Sequence, residues 1–361
     1  MAQADIHKIL AQMSKLNSSD LHLKVNSPPI FRVNGEIKRS TGTTLTSESI
    51  KKLIFEVLSP YQQKRLEENG DLDFALEVEN MGRYRVNAFR QRGSFSLVAR
   101  HIKSEIPSLK DLLIPACLSK ITNFNEGLVL VTGVTGSGKS TTINSIINNI
   151  NNARSCHIVT VEDPIEFVHK DIKAIINQRE IGQDTASFLG ALKYALRQDP
   201  DVIFIGELRD KDTVETALMA AETGHLVLST IHSATVSQTF SRILDFFPAE
   251  RHDQIRTLLQ YNLKAVISQR LLRGITKEYP RVPAVEIMFS NGPVKKAIEE
   301  KKDAHIEDIM EGDKEDGMQT FNKSLIELFN KKLITEEEAI SRSPNPEAIK
   351  MNLRGIFLKS I

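Results

Sequence analysis

Leu128-Val129-Leu130-Val131-Thr132 runs directly into Gly133-Val134-Thr135-Gly136-Ser137-Gly138-Lys139-Ser140, and the fold follows from that junction. The first five residues read as a buried strand. The octet after it satisfies G-x-x-x-x-G-K-[ST] in full, the phosphate-binding loop that joins a strand to a helix. Its glycines let backbone N–H groups turn inward around a phosphate without Cβ clashes. Lys139 is placed to reach the β- and γ-phosphates of ATP, and the Ser140 hydroxyl to coordinate Mg2+. Gly133, Thr135, Gly136, Ser137, Gly138, Lys139, Ser140 and the following Thr141 are the expected nucleotide-binding residues.

Downstream of this junction, strand and helix signals alternate. His157–Val161 reads as a strand, and Phe188, Ala191, Leu192, Ala195 and Leu196 make a helix face. Val202–Ile205 is a strand, Thr213–Glu222 a helix, and Leu226–Thr230 a strand. Short apolar strands separated by helices imply an α/β unit whose parallel sheet is covered on both faces. From about Thr235 the chain reads as mainly helical, with one further strand at Ala284–Phe289.

Upstream the pattern differs. Ile6, Ile9, Leu10, Met13 and Leu16 recur at helical spacing, whereas Leu21, Leu23 and Val25 alternate with polar residues as in a half-buried strand. Pro28-Pro29 breaks that strand, and a second, Ile30–Val33, runs into the hairpin signal Asn34-Gly35. Ile50, Leu53, Ile54, Val57 and Leu58 mark another helix face, read as stopped by Ser59-Pro60. Leu72–Val78, Tyr84–Phe89 and Phe95–His101 read as strands, with turns at Asn80-Met81-Gly82 and Arg92-Gly93. Residues 1–102 are thus expected to form a small α+β domain with an antiparallel sheet, and residues 116–361 the α/β domain. The prolines and weak strand signals of 103–115 mark the expected linker.

A phosphate-binding loop needs acids near the metal, and two strand ends supply them. In Asp201-Val202-Ile203-Phe204-Ile205-Gly206-Glu207, four apolar residues precede Gly206 and the Walker-B-like acid Glu207. Its carboxylate would hold Mg2+ through water, since Mg2+ keeps part of its hydration shell. Val159-Thr160-Val161-Glu162-Asp163-Pro164 delivers a second acid pair, with Glu162 expected to polarise the attacking water. Helix capping is the competing role for either acid. His225 and His232 bracket Leu226–Thr230 and are roughly 20 Å apart along a strand, too far to share one ion. A γ-phosphate sensor at one end and a structural hydrogen bond at the other is the reading retained. Arg83, Arg85, Arg90, Arg92 and Arg100 concentrate on the strands of the first domain. Phosphate contact across a domain or subunit boundary, nucleic-acid binding and solvated strand faces all remain open for them.

Composition narrows the function classes. The 361 residues suffice for two domains, and 40% hydrophobic residues suffice for packed cores. Lys plus Arg total 47 against 46 Asp plus Glu, so a net charge of +1 gives no global field for nucleic acid or an anionic membrane. No apolar run approaches the roughly 18 residues that span a bilayer, and the N-terminus lacks signal-peptide character. Cys117 and Cys156 fit neither a disulfide framework nor a cysteine zinc site, which points to the reducing cytosol and to buried, inert thiols.

Taken together, these motifs resemble the secretion ATPase superfamily and, within it, the PilT/PilU group of type IV pilus retraction motors. The resemblance rests on Ser19-Asp20-Leu21-His22-Leu23, Pro28-Pro29 and Gly82-Arg83-Tyr84-Arg85-Val86-Asn87-Ala88-Phe89 in the first domain. In the second it rests on the phosphate loop, Glu162-Asp163-Pro164-Ile165-Glu166, the segment ending Gly206-Glu207, Glu222-Thr223-Gly224-His225 through His232, and Gly317-Met318-Gln319-Thr320-Phe321. It implies a RecA-like P-loop motor domain preceded by a PAS-like α+β domain, and a homohexameric, Mg2+-dependent ATP hydrolase. It also implies Glu162 as catalytic acid, Glu207 as the Walker B acid, and phosphate contacts from first-domain arginines, for which Arg83 and Arg100 are the candidates. His232 completes the implied catalytic set.

The implied partner is an inner-membrane pilus platform protein of PilC type, engaged from the cytoplasmic side, with a paralogous motor ATPase as a further partner and no nucleic acid. Pilus retraction and twitching motility are the implied work, with the 103–115 linker as hinge. Pilus assembly and type II secretion ATPases usually add a four-cysteine zinc element, which this sequence lacks. Pro293-Val294-Lys295-Lys296-Ala297-Ile298-Glu299-Glu300 departs from the Ala-Ile-Arg-Asn-Leu-Ile-Arg-Glu segment of PilT. Phe246–His252 and Asn262–Val266 are closer to PilU-like paralogues, so an accessory ATPase supporting another motor stands as the alternative. A pilus assembly or secretion ATPase, a slow ATP-binding scaffold and a nucleic-acid motor on the same core are the other readings.

Overall fold

The computed structural model describes residues 5–33, 35–79, 81–102 and 105–353. They divide into two compact units, residues 1–105 with 166–168, and residues 106–165 with 169–361. Asn34, Asn80, Lys103 and Ser104, which belong to the two expected turns and the start of the expected linker, lie outside the described residues.

The first unit opens with α1 (Ile6–Lys15), β1 (Asp20–Leu23), β2 (Ile30–Val33) and β3 (Glu36–Arg39). It continues with α2 (Ser47–Glu56), α3 (Pro60–Asn69), β4 (Asp71–Val78), β5 (Gly82–Gln91) and β6 (Ser94–Ile102). The strands form one sheet in the order β3-β2-β1-β6-β5-β4, antiparallel at every pairing. Period-two alternation decides its two faces. Leu21, Leu23, Tyr84, Val86, Ala88, Leu97 and Ala99 are buried in one core with Ile6, Leu10, Met13, Ile50, Leu53 and Ile54 from the helices.

Ser59-Pro60 does not simply end a helix; it starts one. The Ser59 hydroxyl accepts from the Gln62 N–H, and the Gln62 side chain accepts from the Ser59 N–H, a reciprocal capping box. Pro60 occupies the first helical position, where its missing N–H costs nothing. The weakly apolar α3 buries only Leu66, so hydrophobic periodicity carried no signal for it.

The second unit contains a 3-10 helix (Ala116–Asn123), β7 (Gly127–Thr132), α4 (Lys139–Ala153), β8 (His157–Glu162) and β9 (Ile175–Glu180). Then follow α5 (Phe188–Ala195), β10 (Val202–Ile205), α6 (Lys211–Glu222), β11 (Leu226–Ile231), α7 (Val236–Leu244) and α8 (His252–Asn262). β12 (Leu263–Arg273), β13 (Arg281–Phe289), α9 (Gly292–Glu299), α10 (Ile306–Gly312), α11 (Phe321–Asn330), α12 (Glu336–Arg342) and α13 (Pro346–Leu353) complete the described chain. The sheet order is β13-β12-β7-β11-β10-β8-β9, parallel throughout except where β13 meets β12. All six residues of β7 and all six of β11 are buried, which requires cover on both faces of the sheet. The departing segment Pro293–Glu300 forms α9 and its cap, with Asn291 as N-cap.

Two parts of this unit differ from the sequence expectation. Leu109 and Ile114 are buried in the core of the second unit, so most of the span expected as linker is packed structure. The chain after Thr235 is not mainly helical, because β12 lies beside β7 near the centre of the sheet. Leu263, Val266, Ile267 and Leu271 fall at helical spacing, yet neighbouring strands on both sides make Leu263–Arg273 a strand. β9 has only Ile175 and Ile176 as apolar residues, followed by four polar ones, so its sequence carries no strand alternation. Cys117 and Cys156 are free, half-buried thiols whose pKa values burial pushes up. Among the described residues no helix is long and apolar enough to cross a membrane.

Glu286 on β13 is buried at 4% exposure, and its Oε2 accepts the Val236 N–H at the start of α7 at 2.8 Å. Burial pushes its pKa from 4.5 up to about 7, with the Val236 N–H and Arg270 acting in opposition. Across that interval the folded chain keeps a proton that the unfolded chain has released, so stability falls as pH rises from 4.5 through 7. Glu286→Gln removes this term while retaining an acceptor for Val236. Denaturant unfolding should show the variant more stable than wild type by about 3 kcal/mol at pH 8, with the gap closing by about pH 5. A gap independent of pH would contradict the assignment. Ser59→Ala should lower the stability of the first unit by about 1 kcal/mol through loss of the capping box, measurable in the same way.

Candidate active site

Register brings the sequence-predicted residues of the second unit to one edge. Thr132 of β7 pairs with Ile231 of β11, while Ile205 of β10 pairs with Ser229 of β11 and Val161 of β8. Gly133, His232, Gly206-Glu207 and Glu162 therefore emerge together at the carboxyl end of the parallel sheet, where such sheets bind ligands.

The loop after β7 is shaped by its glycines. Gly136 and Gly138 take φ of 79° and 92°, and Gly138 is the N-cap of α4. A Cβ on Gly138 would lie 2.7 Å from Gln269 Nε2, and one on Gly133 would collide with the Gln269 carbonyl. No side chain caps α4, so its first amides are left to an anion at the helix N-terminus. Lys139 Nζ donates to the Gly133 and Val134 carbonyls at 2.9 and 3.1 Å. Val134, Thr135 and Gly136 are exposed, Ser137 is buried, and Ser140 and Thr141 are half-buried in the first turn of α4.

Gln269 holds this loop from below. Its Nε2 donates to the Ser137 carbonyl at 2.8 Å, and its Oε1 accepts from Thr142 Oγ1 at 2.7 Å. One buried amide therefore fixes both the loop and the helix that follows it. Sequence gives no signal for Gln269, because the apolar residues around it fall at helical spacing.

Glu162, the last residue of β8, is 3% exposed. Its Oε1 accepts from Thr160 Oγ1 at 2.8 Å and from Gln178 Nε2 of β9 at 3.0 Å. Glu207 is paired at both oxygens: Arg209 Nε donates to Oε2 at 2.9 Å, and His232 Nε2 lies 3.1 Å from Oε1. Arg209 also lies 3.7 Å from Asp163, joining the two acidic strand ends. Arg209 stands two residues after Glu207 but belongs to no phosphate-site motif, so sequence alone does not single it out. The two histidines part company. His232 joins Glu207, whereas His225 Nδ1 contacts the Ala220 carbonyl at 3.0 Å and Thr223 Oγ1 at 3.2 Å at the other end of β11.

The arginines sit in the first unit. Arg83 is half-buried on β5, and Arg85 and Arg100 pair directly across β5 and β6. Arg100 Nε donates to Asp20 Oδ1 at 2.8 Å, yet the arginine side chain is 69% exposed. Burial alone would raise the Asp20 pKa. The hydrogen bonds from Arg100 and Ser19, with the charges of Arg100 and Arg32, outweigh it and leave the carboxyl below its ordinary value.

Glu162 and Glu207 can act as paired oxygen centres beside an amide-lined cradle, and Ser140 with Glu207 presents the hard oxygen donors that Mg2+ prefers. Because both Glu207 oxygens already have partners, contact through water suits this carboxylate better than direct ligation.

A family model described as "Type II/IV secretion system protein" matches residues 1–328. The chain is 41% identical to the "Type IV pilus retractation ATPase PilT" of Pseudomonas aeruginosa over 343 residues, covering 95% of this chain and 99% of that protein. It is 37% identical to the "Type IV pilus ATPase PilU" of the same organism, covering 97% of this chain and 91% of the relative. The crystal structure of the pilus retraction motor PilT with bound ADP superposes with a TM-score of 0.90 at 44% identity, covering 95% of this chain and 98% of that one. With the loop, both strand-end acids and the paired histidine in one sheet edge, and relatives matched almost end to end, this chain belongs to the type II/IV secretion system protein family.

Proposed function

We propose that this chain is an ATP-hydrolysing motor that drives retraction of a type IV pilus and so supports twitching motility. The observation that carries the reading is the convergence of an intact phosphate loop with Glu162 and the Glu207–His232 pair at one sheet end. The likeness to PilT, a structure of which holds ADP, supports it. Higher identity to PilT than to PilU favours the retraction role over the accessory one.

Gly133, Thr135, Gly136, Ser137, Gly138, Lys139, Ser140 and Thr141 are assigned to ATP. Lys139 exchanges its loop carbonyls for β- and γ-phosphate oxygens, and the uncapped amides of α4 face the phosphates. Ser140 and, through water, Glu207 are assigned to Mg2+, which when bound neutralises phosphate charge. Glu162 orients a water for attack on the γ-phosphorus and takes its proton. The new P–O bond forms as the β–γ bridging bond breaks, and ADP and phosphate leave. His232 keeps Glu207 in place from the far side of the carboxylate. Arg83 and Arg100 are assigned as donors to the nucleotide phosphates of a neighbouring subunit.

The remaining assignments complete the reading. The motor is a homohexamer that works from the cytoplasmic face of the inner membrane against a PilC-like platform protein. Under the accessory reading, a second, paralogous motor ATPase shares that platform.

Steady-state phosphate release on the purified chain should require Mg2+ and vanish in Lys139→Ala. Glu162→Gln should lower kcat by about 100-fold or more while ATP still binds. Turnover that survives Lys139→Ala would refute the site. Cells lacking the protein should carry surplus pili and lose surface motility, whereas loss of pili would indicate assembly instead. Mixing Arg83→Ala or Arg100→Ala with Lys139→Ala subunits should restore part of the hydrolysis. No restoration at any ratio would count against a contact from the neighbouring subunit.

A further inference from the structure

Beside the expected catalytic groups, a chain of buried amides and one imidazole joins α4 to Glu162. Asn144, fully buried one turn beyond Ser140, donates from Nδ2 to the Ser140 carbonyl at 2.9 Å. This leaves its Oδ1 facing His169 Nε2 at 2.7 Å, so the imidazole carries its proton on Nε2. The His169 backbone N–H donates to Gln178 Oε1 at 2.8 Å, and the amide so oriented donates from Nε2 to Glu162 Oε1 at 3.0 Å. His169 is buried, and burial lowers its pKa to about 4, which keeps the ring neutral and its Nδ1 unprotonated. That Nδ1 is buried without a hydrogen-bond partner, consistent with the same tautomer.

We propose that Asn144, His169 and Gln178 form a positioning relay through which the first turn of the phosphate-loop helix sets the Glu162 carboxylate. Each amide has its two ends on different partners: flipping Gln178 places like against like at both ends, and flipping Asn144 sets its oxygen against the Ser140 carbonyl. Movement of the turn bearing Lys139 and Ser140 is thereby passed to Glu162 through four directional bonds. The alternative, a set of polar groups that merely satisfy one another in the core, requires no link to the chemistry. The proposal rests on the reading of Glu162 as the water-positioning group. None of the three residues is among those assigned to the nucleotide, and none is a catalytic residue.

The full-length protein tests it with Asn144→Ala, Gln178→Met and the double variant. Each single change should lower kcat about tenfold, with the KM for ATP unchanged within about twofold. The double variant should lose no more than either single, because one break already disconnects the relay. Multiplicative losses of about 100-fold, or lower thermal stability with unchanged kcat, would overturn the proposal. Hydrogen exchange gives a readout independent of turnover. Asn144→Ala should speed exchange at the His169 amide, whereas Asn152→Ala, on the exposed side of the same helix, should not. Unchanged exchange in Asn144→Ala overturns the relay. A wild type without turnover but with this exchange response would sink the hydrolysis reading and leave the relay standing.

Discussion

Everything at the candidate site depends on the backbone hydrogen-bond register between β7, β11, β10 and β8. A shift of one residue in any of these parallel strands would turn its side chains to the opposite face. It would also withdraw Glu162, Glu207 or His232 from the edge where the phosphate loop begins. The register is held by burial: β7, β10 and β11 have no exposed residue, so a slipped strand would have no solvent-facing side to absorb the mismatch. Apolar packing thus specifies the placement of charged groups that it never touches.

Those charged groups are costly to hold in place. A carboxylate as buried as Glu162 needs hydrogen bonds, and Thr160 and Gln178 both donate to its Oε1. Glu207 is balanced by Arg209 and His232, and the Ser137 carbonyl of the phosphate loop accepts from Gln269. Apart from Thr160, which shares β8 with Glu162, the supporting residues lie on β9 and β12 or just beyond the ends of β10 and β11. Each half of the site is therefore braced by its neighbours in the sheet, the arrangement that preorganised electrostatic catalysis requires.

The family to which the chain belongs contains proteins named for pilus retraction and for secretion, and fold alone does not separate them. What favours retraction is the likeness to a retraction ATPase over nearly the whole of its length.

The sequence by itself determined the phosphate loop, both strand-end acids, the parallel α/β unit and the antiparallel α+β unit before it. Each is a local signal: glycine spacing, an apolar run ending in an acid, or alternation of period two. α3, β9 and β12 were not legible, and neither were Gln269, Arg209 and the amide relay. α3 has almost no apolar face, and its start is a capping exchange between Ser59 and Gln62. β12 carries a helical spacing that neighbouring strands on both sides override. Gln269 is 132 residues from Ser137, its hydrogen-bond partner, and Gln178 is 16 from Glu162. Only tertiary structure decided these pairings, because the hydrogen-bonding capacity of a buried amide is assigned by whatever the fold brings within about 3 Å of it.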